Sequence, residues 1–293
     1  MHAASELTGR ENRSQTLGVL VCTRNNQDVI GRLLASLAWA EHIVIVDCGS
    51  EDETIAIARQ YTDTIVYTAS LDWHQQVKTG LAWIKTDWVL YLEPDEWAPE
   101  MLHHEIDGIL LQNKTGVDAY QLKLSWFFGD KALGYGRSSR KAALRLVKKS
   151  LLLNEQIGVS SQPYFRTFFL KTSAADNALD ENVIIKTLDY PINKAPFQTY
   201  DSLFKSASAQ GRLGSLYLAE ARGLNPALSN PLTALIHTKW AFFKYYILQL
   251  GILDGLSGLA FSGAQSWATF LKYVQHQQLC LSALRTANPH GKQ

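Results

Sequence analysis

The sequence predicts an α/β fold: a mixed, mostly parallel sheet covered by helices, with a helical C-terminal region. Three observations predict it. From Leu17 onward, short apolar and β-branched runs alternate with stretches of helical periodicity. From Tyr200 the pattern is helical to the end. The 293 residues are 46% apolar, enough to fill a sizeable core.

The elements follow in order. Residues 17–22 (LGVLVC) read as the first strand, and 28–37 as a helix with Ile30, Leu33, Leu34 and Leu37 on one stripe. Residues 42–47 (HIVIVD) form the second strand, 51–60 a helix, 63–68 the third strand, 73–84 a helix and 87–92 (DWVLYL) the fourth strand. A helix is expected to open at Glu96 and Pro99 and to reach Gln112, since proline suits a first turn. Beyond it, 119–126 and 143–148 read as strands around a glycine-bearing loop, Phe127 to Lys141. The loop's Gly129, Gly134 and Gly136 permit movement, and Arg137, Arg140 and Lys141 suit phosphate as well as solvent. The C-terminal helices break near Asn225-Pro226 and Gly251. The expected division is a flexible lead-in at 1–16, an α/β domain at 17–199 and a helical region at 200–293.

Composition narrows the function. Twenty-eight basic and 27 acidic residues give a net charge of +1, so nothing draws the chain toward nucleic acid. The three cysteines are scattered, which excludes a disulfide framework. The N-terminus MHAASELTGRENRSQTLG lacks the apolar stretch of a secretory signal, so the expected location is the cytoplasm. Residues 232–253 are apolar but interrupted by His237, Lys239, Lys244 and Gln249. Their aromatics suit two readings, a helix lying in a membrane interface or a core helix of the C-terminal bundle.

An open α/β sheet binds ligands beyond the carboxyl ends of its strands. Asp47 ends the second strand and enters the turn Cys48-Gly49-Ser50, where its carboxylate can accept from a base or ribose, or where the turn can simply start a helix. The segment Glu93-Pro94-Asp95-Glu96 follows the fourth strand. Carboxylates at i and i+2 can face one Mg²⁺ or Mn²⁺ held on a diphosphate, while the alternative is an acidic first turn that complements a helix dipole. No Gly-x-Gly-x-x-Gly or Gly-Lys-Ser/Thr loop is present, which sets aside dinucleotide and P-loop readings.

The run LGVLVCTRNNQDVIGRLLASLAWAEHIVIVDCGSEDETIAIARQYTDTIVY, followed by KTDWVLYLEPDE, resembles the family 2 glycosyltransferases of the Rossmann-like GT-A fold. Within them it is similar to the lipopolysaccharide-core β-glucosyltransferase branch, whose C-terminal helical region resembles residues 247–274 here. The resemblance implies an inverting transfer of a hexose from a nucleotide diphosphate sugar, UDP-hexose first among them, to a glycan or lipid-linked acceptor in envelope polysaccharide synthesis. It also implies a peripheral position at the inner face of the cytoplasmic membrane. Position by position, it places Thr23, Arg24, Asn25, Asp47, Gly49, Ser50, Asp52 and Lys78 around the nucleotide sugar, and Glu93 and Asp95 on Mg²⁺ or Mn²⁺. The resemblance further implies Glu181, with Asp180 in place of a histidine, as the base that takes the proton of the acceptor hydroxyl, while by residue type the pair equally suits a plain loop or a helix start. His103 and His104 read as a solvated helix face. Four departures from the family pattern, at Glu93, Lys78, Lys141 and Asp180, motivate a second reading: a protein of the same fold that binds a nucleotide sugar or partner with weakened or absent transfer.

Overall fold

The computed structural model describes residues 14–112, 116–135, 142–154, 157–160, 167–170 and 183–287. The chain divides into two compact units, Met1–Ser125 with Ser139–Lys194, and Trp126–Ser138 with Ala195–Gln293.

The first unit is built on parallel strands in the order β3-β2-β1-β4: β1 Leu17–Thr23, β2 His42–Asp47, β3 Ile65–Tyr67 and β4 Trp88–Leu92. Every residue of β1 and β4 is buried. Their unbroken apolar runs suit strands covered on both faces rather than the alternation of a half-exposed sheet. Register brings the carboxyl ends together, with Thr23 opposite Asp47, Asp47 opposite Tyr67, and Val21 opposite Leu92. The short helices α1 Ile30–Ala35 and α2 Thr54–Ala58 follow β1 and β2. Both are shorter than their periodicity predicts, because side-chain hydrogen bonds occupy the turns ahead of them. Helix α3, Trp73–Leu81, is capped by Asp72 and buries Trp73, Val77 and Gly80. The Trp73 ring tilts against Tyr91 of β4 at 5.1 Å, and Tyr91 meets Phe168 edge-on at 5.9 Å.

The expected helix start at Glu96 is corrected. Glu96–Trp97 form a two-residue strand, β5, and α4 runs Glu100–Leu111 after Pro99 as its N-cap. Glu96 is withheld from a helix turn because its carboxylate is turned inward to buried cations. The expected strand at 119–126 is two strands, β6 Ala119–Leu122 and β7 Leu124–Phe128. The carbonyl of the intervening Lys123 accepts from the Ile192 amide. The expected loop after Phe127 begins instead as a hairpin, with β7 paired to β8, Lys131–Leu133. Strand β9, Ala143–Lys148, runs antiparallel beside β4 and carries β6 on its flank. A short helix α5, Lys149–Leu153, follows it, and β10 Ile157–Ser160 with β11 Thr167–Leu170 extend the sheet. Strand β12, Ile185–Thr187, pairs with β6. The first residues of β13, Ile192–Phe197, pair with β5, so that Lys194 lies opposite Glu96.

The second unit contains the rest of the hairpin and the helices α6 Tyr200–Arg222, α7 Pro231–Phe243 and α8 Gly255–Ala287. Thr199 and Ser202 form a reciprocal capping box at the start of α6. Phe197, Leu203, Ala207, Phe261, Ala264 and Ala268 make its core. A Cβ on Gly211 would stand 2.7 Å from the Leu271 Cβ and 2.9 Å from the Ala268 carbonyl oxygen, so only glycine lets α6 and α8 approach this closely. Asp254 fastens the hairpin by accepting from the Gly134 and Tyr135 amides at 3.0 and 3.1 Å. Helix α7 continues into a π-helical turn, Lys244–Leu248, and the chain breaks there, with Leu250 at φ 60° ahead of the turn Gly251–Asp254. Among the described residues no single helix is long and apolar enough to cross a membrane, although Pro231–Leu248 and Gly251–Leu284, bent by 70° at the break, are so as a pair.

Candidate functional site

Two turns at the carboxyl ends of β1 and β2 are knit together by side chains. The Asp47 carboxylate is buried and accepts the Ser50 hydroxyl at 2.6 Å and the amides of Gly49 and Ser50 at 3.2–3.3 Å. Gly49 has φ +86°, which lets the turn bring both amides back onto Asp47. Across the gap, the Asn25 amide donates to Ser50 Oγ at 3.0 Å, and Asn25 Oδ1 accepts from the Glu51 amide at 2.8 Å. Asn25 sits at φ 53°, a left-handed conformation that asparagine tolerates. Thr23 Oγ1 accepts from Asn26 Nδ2 at 3.0 Å, fixing the end of β1. Asp52 accepts the Gln27 amide, the Thr54 amide and the Thr54 hydroxyl. Burial opposes its charge, but these donors outweigh burial and hold its pKa below the ordinary aspartate value.

The residues predicted from the two turns are therefore gathered in one network; Arg24 joins it through its carbonyl, which accepts from Asn26 Nδ2 at 2.9 Å, and is itself exposed. Lys78 is exposed on α3. Tyr67, directly opposite Asp47 and 67% exposed, is an addition that pattern reading missed. An exposed tyrosine at a strand end beside Asp47 offers a flat ring for stacking, and its place in a β-branched run masked it.

The acidic segment after β4 is organised by two cations that the motif does not contain. Arg145 Nη2 lies 3.1 Å from Glu93 Oε1 and 3.0 Å from Glu96 Oε1. Lys194 Nζ lies 3.1 Å from Glu93 Oε2, 2.9 Å from Asp95 Oδ1 and 3.2 Å from Glu96 Oε1. Glu96 also accepts the Glu93 amide at 2.8 Å, which closes the turn. Arg145, Glu96 and Lys194 are all buried. Burial pushes the Glu96 pKa up, against the pull of Arg145 and Lys194. For both cations burial favours the neutral form, yet the surrounding carboxylates hold their pKa values above the ordinary lysine and arginine ranges. Both stay charged.

A divalent ion takes carboxylate oxygens at about 2.0–2.6 Å. In this geometry the oxygens of Glu93 and Asp95 that converge on one point converge on the Lys194 ammonium, and the other Glu93 oxygen is held by Arg145. The residues as folded fit an internal cation and leave no place between them for a divalent one. Elsewhere among the described residues, His103, His104 and Asp107 bring ligand atoms within 4.8 Å of one another. Their arrangement is nevertheless a stacked ladder, with Trp39 to His103 at 4.5 Å and His103 to His104 at 5.2 Å, and His103 is tied to Asp107 at 2.9 Å. Parallel stacked imidazoles direct their in-plane lone pairs past each other rather than toward a shared ion.

Asp180, Glu181, Gly136, Arg137, Arg140 and Lys141 lie outside the described residues.

Residues 18–146 match the family model Glycosyl transferase family 2, a span that holds both turns and the acidic segment. This stretch is a family 2 glycosyltransferase domain. The protein carrying it is accordingly a glycosyltransferase. It is 23% identical over 273 residues to an uncharacterized glycosyltransferase of Rickettsia bellii, a match covering 92% of this chain and 88% of the relative. A second uncharacterized glycosyltransferase, from Rickettsia prowazekii, is 21% identical over 284 residues, covering 91% and 88%. Among solved structures the chain is similar to TarS residues 1–349 of S. aureus, with TM-score 0.46, 15% identity and coverage of 89% of this chain and 91% of that one. It is also similar to glucosyl-3-phosphoglycerate synthase of Mycobacterium tuberculosis, solved with Mn²⁺, UDP-glucose and glycerol 3-phosphate, with TM-score 0.33, 17% identity and coverage of 43% and 48%.

Proposed function

We propose that this glycosyltransferase is an inverting enzyme that moves a hexose from a nucleotide diphosphate sugar, UDP-hexose in the first instance, to a glycan or lipid-linked acceptor in lipopolysaccharide or another envelope polysaccharide. The observation that carries the donor half is the cross-braced pair of turns. Thr23, Asn25, Asp47, Gly49, Ser50 and Asp52 fix backbone and side-chain polar groups at the carboxyl edge of the sheet, ready before a ligand arrives. Asp47 holds the base or ribose, and Tyr67 stacks beside it. In the transfer the acceptor oxygen attacks the anomeric carbon, the bond from that carbon to the diphosphate breaks, and the nucleoside diphosphate leaves with the electron pair. Glu181 receives the acceptor's proton.

The acceptor half, and with it a place at the cytoplasmic face of the membrane, is supported by the surface of the C-terminal helices. Leu232, Ile236, Trp240, Phe243 and Leu256 are 66%, 56%, 55%, 43% and 66% exposed, while the positions α7 buries are the small Ala234 and Ala241. A helix that turns small residues inward and large apolar ones outward, with Lys239 and Lys244 among them, suits an interfacial seat near a lipid-linked acceptor.

Calorimetry with UDP, GDP and dTDP tests the donor half. UDP is expected to bind, and Asp47→Asn to weaken it by about tenfold, the worth of one hydrogen bond to a charged group. Equal binding by wild type and Asp47→Asn would remove Asp47 from the site.

A further inference from the structure

The acidic segment holds three carboxylates around one ammonium. Lys194 is 98 residues from Glu96 in sequence, yet β13 places it opposite Glu96 on β5, and its Nζ reaches Glu93, Asp95 and Glu96 within 3.2 Å. It is 4% exposed, so water competes little for these contacts. Arg145 braces two of the same carboxylates, Glu93 and Glu96, from β9.

From this geometry we infer that Lys194 is a built-in cation that stands in the position between Glu93 and Asp95 where a divalent ion would bind, so the protein takes up its nucleotide without a metal. A divalent ion entering between these carboxylates would have to displace the ammonium from three partners at once or share their oxygens with it at close range, and both are disfavoured in a buried setting. Three carboxylates against two cations leave little surplus negative charge to attract an ion. The charge of a diphosphate must then be met by other side chains, and Arg24, exposed directly after β1, is the basic residue nearest the two turns in sequence. The inference rests on the donor-site reading only in treating Glu93 and Asp95 as the residues that face the diphosphate.

Two measurements on the full chain test it. In the first, Mn²⁺ is titrated without nucleotide and free ion is followed by electron paramagnetic resonance, in wild type, Lys194→Gln, Lys194→Met and Asp95→Asn. Wild type is expected to bind no Mn²⁺ that Asp95→Asn abolishes, up to about 1 mM, the weak end of protein carboxylate sites. A folded Lys194→Gln or Lys194→Met is expected to gain such a site. Asp95-dependent binding in wild type overturns the inference, as does failure of both Lys194 variants to bind when circular dichroism shows them folded. If neither variant folds, the wild-type titration still decides. In the second, UDP binding is compared in EDTA and in Mn²⁺, and the two affinities are expected to agree within about twofold, whereas a tenfold loss in EDTA would overturn the inference. UDP binding under neither condition would sink the donor reading instead and leave the Mn²⁺ titration to stand alone.

Discussion

The two units depart from the usual distribution of residues in opposite directions. The α/β unit buries charge: Arg145 on β9, Glu96 on β5 and Lys194 on β13 are 0%, 1% and 4% exposed, near the fully buried apolar strand β4. The helical unit exposes apolar surface, with Leu232, Trp240, Leu253 and Leu256 each more than half accessible. Buried charges are costly unless each meets its opposite, and here they do so across β4, β5, β9 and β13. Exposed apolar groups are costly to leave in water, and α7 buries the small Ala234 and Ala241 while Trp240 and Phe243 tilt against each other on its exposed side. One unit thus satisfies its buried charges internally, while the other leaves large apolar side chains at its surface.

Breaking the first half of this contrast has the largest expected effect. Arg145→Met strands Glu96 without its guanidinium and should cost about 3–5 kcal/mol in urea unfolding, with Glu96→Met added to it recovering more than about half. Equal destabilisation by the single and double variants would show that the pair is not the unit that matters. For the second half, Trp240→Ser with Phe243→Ser should lower sedimentation with anionic vesicles by about a hundredfold, from roughly 1.5–3 kcal/mol per aromatic removed from lipid. The thermal midpoint should barely move, because exposed substitutions sit within about ±0.5 kcal/mol. Unchanged sedimentation would leave the apolar face without a membrane role. Smaller again is Gly211→Ala, which sharpens the idea that the helical unit closes on small residues. Its added methyl meets Leu271 and Ala268, and about 1–3 kcal/mol of overpacking should appear as an earlier urea midpoint.

The smallest effect concerns a carboxylate that the α/β unit keeps near its surface. Asp52 has a pKa depressed by its donors, so its contribution to stability is present above the ordinary aspartate pKa and fades as pH falls through the depressed folded value. Asp52→Asn should remove that acid limb, at less than about 1 kcal/mol, and flatten the pH response of the Gln27 and Thr54 amide shifts in NMR spectra. A limb that persists in Asp52→Asn belongs to other carboxylates.

Much of the α/β unit was legible because its signals are local. Apolar runs marked β1, β2 and β4, and Asp47-Cys48-Gly49-Ser50 declared a turn through residue types that make turns. Glu96 was misread for the same reason: an acidic residue three before a proline looks like a helix start whatever faces it. A signal for its true partner did exist. Arg145 stands in the run ALRLVK, which is buried from Ala143 to Val147, and a charge inside a strand covered on both faces demands a carboxylate nearby. Lys194, between Asn193 and Ala195, gave less warning, since its burial depends on β13 lying against β5.

The sequence alone determined the order of strands and helices as far as β4, the turn chemistry around Asp47 and the presence of carboxylates after β4, all of which follow from periodicity and residue type within a few positions. Tertiary structure decided what those carboxylates hold and which way α7 faces. Glu96 meets Arg145 and Lys194 from 49 and 98 residues away, and only strand order and register could bring them together. The run 232–253 is apolar around most of its circumference, so its own pattern could not choose between core and membrane. Packing decided only the facing: Ala234 and Ala241 turn inward, and Leu232, Ile236 and Trp240 stay outside.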